Sequence, residues 1–154
     1  MNLKGKTVLF FSTCGYIGKI PFAPGTFGSV LGLFICFFLS RISVSFSALL
    51  TVFLILSAVW ISESAERIIG EKDPGCIVID EVAGMVVTMI GLPFNVLIAI
   101  TGFILFRLLD IVKPPPIRTI QDGLPGGAGV VMDDVAAGII GNLLLRLLVF
   151  FNWL

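Results

Sequence analysis

The stretch ISVSFSALLTVFLILSAVWI, residues 42–61, runs for twenty positions without a charge. At 1.5 Å per residue a helix of that length covers about 30 Å, the thickness of a bilayer's hydrocarbon core. Four further apolar stretches accompany it: residues 26–39, 82–92, 94–106 and 135–154. Their apolar residues are continuous rather than alternating, so the strands of a membrane barrel are excluded. Backbone groups in lipid must then be satisfied within helices. The expected fold is all-α: a small integral-membrane bundle of about five hydrophobic helices joined by short interfacial loops. Only 42–61 and 135–154 reach spanning length alone, and the latter carries one charge, Arg146. Residues 82–92 and 94–106 are short and meet at Pro93. They form either a hairpin that does not fully cross or two helices extended by polar turns at their inner ends. Gly28, Ser29, Gly32, Ala83, Gly84, Gly138 and Gly141 are placed to let helices approach closely.

Composition agrees. The chain has 154 residues, enough for a single domain over 1–154. Hydrophobic residues make up 57% and charged residues 13%, the latter about half the usual ~25%. Mean hydropathy is +1.10. A soluble globule of this size needs more polar surface than that, and a disordered chain has far less to bury. Ten basic and ten acidic residues cancel, without the basic excess that nucleic-acid binding needs. Cys14, Cys36 and Cys76 form no CxxC pair, which leaves free structural thiols rather than a disulfide framework or zinc site. There is no histidine, so Ser-His-Asp triads, phosphohistidine chemistry and HExxH zinc sites are excluded. The apolar run 8–11 after Lys4 and Lys6 is too short for a cleaved signal.

All ten acids lie between Glu63 and Asp134. Eight of the ten basic residues fall before residue 20, in the 62–81 region or in the 107–134 region. If the stretches alternate in direction, with the third and fourth as a hairpin, these segments share one side. The positive-inside rule makes that side the cytoplasm. Arg41 then lies opposite, and Arg146 must snorkel or pair.

Four clusters fall on the charged side. PGTFGS (24–29) opens the first helix, with Thr26 as its expected N-cap and glycines that leave N–H groups open to an anion. Taken alone, this cluster is better accounted for by an ordinary cap with close helix packing. IVIDEVAGM (77–85) puts Asp80 and Glu81 at the start of an apolar helix. The helix dipole alone favours an acid there by roughly 0.3–1 kcal/mol. FRLLDIVKPPPIR (106–118) spaces Arg107, Asp110 and Lys113 at i, i+3, i+6, neighbours on a helix that the prolines must end. GGAGVVMDDVAAG (126–138) reads as a glycine-rich loop leading to Asp133 and Asp134 at another helix start. Ionisable groups beside a span cost about 2.5–3.5 kcal/mol each, so five carboxylates need compensation. Asp80, Glu81, Asp110, Asp133 and Asp134 make a hard-oxygen donor set suited to Mg²⁺, Mn²⁺ or Ca²⁺. Arg107, Lys113 and Arg118 supply phosphate contacts beside it. A divalent ion joins carboxylates to a phosphate that they would otherwise repel. The chemistry suggested is metal-assisted phosphoryl transfer or phosphate-ester hydrolysis.

The four motifs, in this order and spacing over residues 24–138, resemble the phosphatidylglycerophosphatase A family. That resemblance implies a bacterial Mg²⁺-dependent membrane lipid phosphatase that converts phosphatidylglycerophosphate to phosphatidylglycerol. It implies a multi-pass protein of the inner (cytoplasmic) membrane with a cytoplasmic active site and a phospholipid substrate. Residue by residue it points to Asp80, Glu81, Asp110, Asp133 and Asp134, to Arg107 and Lys113, and to the Gly25-Thr26 turn. Ile79 departs from the aromatic residue that some members carry there. The competing reading is a non-enzyme, a membrane cation carrier or phospholipid-binding protein that uses the same carboxylates. A carrier should spread its acids over several depths, whereas here they gather on one side.

Overall fold

The computed structural model describes residues 3–153. Seven α-helices follow in order: α1 Leu3–Ser12, α2 Pro24–Leu39, α3 Val44–Ile69, α4 Ile79–Met89, α5 Val96–Val112, α6 Ile117–Gly123 and α7 Gly126–Phe150. A 3₁₀ turn, Ile17–Lys19, links the first two. The all-α expectation is met, and no strand occurs among the described residues. The five apolar stretches become α2, α3, α4, α5 and α7, while α1 and α6 are additions that hydropathy did not mark.

Several helix ends differ from the sequence reading, each for a local reason. α3 continues two turns past Ile61, where Glu63 and Arg67 pair at i, i+4 and Gly70 ends the helix in a left-handed conformation. α2 starts at Pro24 with Ala23 as N-cap, so Thr26 is not the cap but sits in the first turn. The run 126–134 is not a loop: α7 begins at Gly126 and carries Asp133 and Asp134 two turns inside.

α4 is the central helix. Apart from half-buried Glu81, every residue from Ile79 to Met89 is buried. Packing this close depends on missing side chains. A Cβ added at Gly138 would press on the carbonyl of Gly84, and one at Gly84 on the Phe106 ring and the Asp134 carbonyl. The small residues therefore set α4 against α7, as expected of close helix crossings. Phe106, Met85, Ile98 and Leu145 fill the core beside this crossing.

Eleven residues give α4 a length of only about 16 Å, half a hydrocarbon core. Its last carbonyls therefore need partners inside the bundle. Asn142 of α7 donates from Nδ2 to the carbonyls of Thr88 (2.9 Å) and Ile90 (3.0 Å). Arg146 donates to Asn142 Oδ1 (2.8 Å) and to the Ile90 carbonyl (3.0 Å). The lone charge of the last apolar stretch thus caps a broken-off helix. Replacing Asn142 with Leu strands the Thr88 carbonyl, leaves the Ile90 carbonyl to Arg146 alone, and should lower stability in detergent by about 1–3 kcal/mol. A denaturant titration that finds no loss would contradict this cap.

Two helices, α3 and α7, are long and apolar enough to cross a membrane. They differ in surroundings. In its most apolar window α7 is 61% buried within the protein, α3 only 17%. The α3 side chains Leu49, Phe53, Leu56 and Trp60 point outward.

Candidate active site

The start of α4, the end of α5 and the first turns of α7 meet at one pole. They bring Asp80, Glu81, Asp110, Lys113, Asp133 and Asp134 around a pocket of about 190 Å³. Residues separated by more than fifty positions in sequence are thereby collected by three helix ends. Asp80, Glu81 and Asp134 each place a carboxylate oxygen within 4.8 Å of the others. Asp80, Asp133 and Asp134 are buried, and so is Asp110 at 9% exposure.

Two ion pairs frame the pocket. Arg107 Nη1 lies 2.6 Å from Asp110 Oδ2, one helical turn along α5. Lys113 Nζ lies 2.5 Å from Asp133 Oδ2, across the gap between α5 and α7. Lys113 reaches over because the helix ends at Val112 and it takes a left-handed C-cap conformation, with φ 45°. Burial pulls its ammonium down, but the hydrogen bond and charge of Asp133, with Asp134 and Asp110 behind, outweigh that and hold its pKa above the ordinary lysine value. Asp80, Glu81 and Asp134 have no salt bridge among the described residues. Two carboxylate oxygens, Glu81 Oε2 and Asp133 Oδ1, are buried without a hydrogen-bond partner. Buried polar atoms are normally satisfied, so these mark places where a ligand belongs. An all-oxygen donor set, crowded and anionic, suits a hard divalent cation and not zinc or copper.

The first turn of α2 closes the Arg107 side. Gly25 lies so near that an added Cβ would overlap Glu81 Oε1 and crowd Arg107 Nη1. Ser29 donates to the Gly25 carbonyl at 2.9 Å and stands 3.5 Å from Arg107 Nη1. Glycine at 25 is therefore needed for space, while Thr26, the next residue, is half-buried in the helix and does not line the pocket. Arg118 is exposed on α6 and does not line it either. Burial, with the charge of Glu81, pushes the Cys14 thiol up to about 12 and disfavours the reactive thiolate.

Asp73 escaped the sequence reading. It lines the same pocket from the α3–α4 connection, with Gly75 and Ile77. Its signal was an acid in an Asp-Pro-Gly turn directly before the second motif. Glu63 is a second omission. Its Oε2 accepts from the Gly127 N–H at 2.9 Å, capping α7 from α3 because the helix's own cap position, Pro125, offers no side-chain acceptor.

Fold and site define an all-helical protein with an oxygen-donor carboxylate centre, flanked by two paired cations, at one pole. Residues 10–149 match the family described as Phosphatidylglycerophosphatase A. The chain belongs to that family. It is 34% identical over 124 residues to the phosphatidylglycerophosphatase A of Escherichia coli, covering 80% of this chain and 72% of that one. The Haemophilus influenzae protein of the same name is also 34% identical, covering 79% of this chain and 76% of its own. A Bacteroides thetaiotaomicron protein provisionally named a phosphatidylinositol-3-phosphatase is 36% identical over 136 residues, covering 83% and 84%. No solved structure matches.

Proposed function

We propose that the protein is a Mg²⁺-dependent phosphatase that hydrolyses the terminal phosphomonoester of phosphatidylglycerophosphate to give phosphatidylglycerol. The observation that carries this reading is the pocket itself: carboxylates without cationic partners, set between Arg107 and Lys113, at the pole of an apolar helical protein. Family membership and the names of two relatives support the substrate.

The outward face of α3 supports a membrane setting. Phe53 is 70% exposed, Trp60 67% and Leu56 65%. Water-soluble proteins rarely leave contiguous apolar patches of more than a few hundred Å². In our reading 1–154 forms one domain in the bacterial inner membrane, with the pocket pole towards the cytoplasm. The lipid's own phosphate is then at the level of the pocket while its acyl chains stay among the apolar helices.

Asp80, Glu81 and Asp134 would hold the cation, with Asp110 and Asp133 beside them. A bound Mg²⁺ supplies charge neutralisation and polarisation of a phosphoryl oxygen. Arg107 and Lys113 bind the remaining phosphate oxygens, and their charge counts most as negative charge spreads over them in the transition state. A carboxylate outside the cation's ligand set accepts the proton of the attacking water. Burial of the pocket keeps these groups ordered before substrate arrives. Gly25 leaves room for the Glu81 carboxylate and the Arg107 guanidinium to stand against the first turn of α2.

The test is phosphate release by the purified protein in detergent micelles from three lipids: phosphatidylglycerophosphate, phosphatidic acid and phosphatidylinositol 3-phosphate. The expected result is fastest release from the first. Faster release from the inositol lipid would move the substrate to that class and leave the hydrolase chemistry in place. Release from none, by a folded and Mg²⁺-replete sample, would overturn the enzyme reading.

A further inference from the structure

The charge balance of the pocket does not close with one cation. Six carboxylates line it: Asp73, Asp80, Glu81, Asp110, Asp133 and Asp134. Against them stand Arg107 and Lys113, each already paired with one acid. Among the described residues four of these carboxylates are left without a salt bridge, and a phosphomonoester adds about two further negative charges. One divalent ion neutralises half of the four acids and leaves none of its charge for the substrate.

The acids divide into two groups. Asp80, Glu81 and Asp134 converge within 4.8 Å. Asp133 stands apart from this trio: Oδ2 is held by Lys113, while Oδ1 is buried without a partner in a residue only 1% exposed. Asp73 faces the same pocket. Its position is fixed twice, by its N–H donating to Glu66 Oε1 at 2.7 Å and by Gln121 Nε2 donating to its Oδ2 at 3.2 Å. The second oxygen, Oδ1, takes no part in that clasp and is left for a ligand. A pocket of about 190 Å³ has room for two ions and several waters, at roughly 30 Å³ per water.

We infer that the pocket takes two divalent cations, one on Asp80, Glu81 and Asp134 and a second between Asp73 and the unpartnered oxygen of Asp133. Asp73 is then a ligand and not a bystander of the connection that carries it. The arrangement deepens the phosphatase reading and rests on it for its purpose: two cations offset both the spare carboxylates and an incoming phosphate, and two-ion sites recur in phosphoryl chemistry.

Mn²⁺ titration of the purified protein in detergent, followed by the loss of the free-ion electron paramagnetic resonance signal, counts the sites directly. Wild type should bind two Mn²⁺ per chain and Asp73→Asn one. Asparagine is the suitable replacement because Asp73 has φ 49°, a left-handed conformation that asparagine tolerates, and its amide oxygen still accepts from Gln121. Asp122→Asn, an exposed acid outside the pocket, should still bind two. One ion in wild type, or two in Asp73→Asn, overturns the inference. Phosphate release from the same samples separates the two claims. One ion in a hydrolytically active protein overturns the two-cation inference alone, whereas two ions in an inactive protein uphold it and overturn the phosphatase reading.

Discussion

Asp134→Asn should reduce phosphate release by about 10²–10³-fold, the scale lost when one preorganised electrostatic contact to a transition state is removed. The residue sits where the three-carboxylate group converges, two turns inside α7, and is 4% exposed. Asparagine keeps the shape and one oxygen while removing the charge. The substitution also relieves repulsion among Asp80, Glu81 and Asp110, so the variant should fold at least as well as wild type. Loss of turnover with unchanged or raised thermal stability is therefore the expected pair of results, and Asp80→Asn should behave the same way. Steady-state kinetics together with a melting curve in detergent reads both. Near-wild-type turnover in both variants would remove these carboxylates from the chemistry.

Lys113→Met should act on stability and activity together. It removes the only cation paired with Asp133 among the described residues, and the Asp133 side chain is 1% exposed. Breaking a wholly buried pair costs about 3–5 kcal/mol, and a lysine side chain still 25% exposed lowers that to roughly 2–3 kcal/mol. The pH dependence follows from the direction of the Lys113 shift. A pKa raised on folding gives a stabilising contribution that is complete below the ordinary lysine value and is lost as pH rises through the higher folded value. Wild type should therefore keep this contribution throughout the neutral range and lose it only in strong alkali. The difference between wild type and Lys113→Met should accordingly persist from neutral pH up to about pH 9. A difference that vanishes near neutrality would contradict the assigned ion pair.

Much of this site was legible because its residues lie in short, dense motifs. Asp80 and Glu81 had to open a helix, since the apolar run begins directly after them. The i, i+3, i+6 spacing of Arg107, Asp110 and Lys113 foretold the Arg107–Asp110 pair, though not that Lys113 would turn across to Asp133. That turn depends on the left-handed cap at Lys113, which tertiary contact fixes and local sequence does not. The helical start of α7 was hidden for a similar reason. Glycines at 126, 127 and 129 read as a loop, and only Glu63, more than sixty positions away, supplies the cap that lets a helix begin there. Asp73 was missed because a turn acid acquires meaning only when its connection folds back over the pocket. Arg146 was recognised as a charge needing a partner, but the partner, the broken end of α4, is visible only in three dimensions.

The central claim is that a carboxylate-held divalent cation enables hydrolysis at this pole. The most direct measurement is phosphate release from phosphatidylglycerophosphate by purified wild-type protein, first with Mg²⁺, then with EDTA, then with Mg²⁺ restored in excess. The account predicts that EDTA stops release and Mg²⁺ recovers it. Release that continues undiminished under chelation would contradict it.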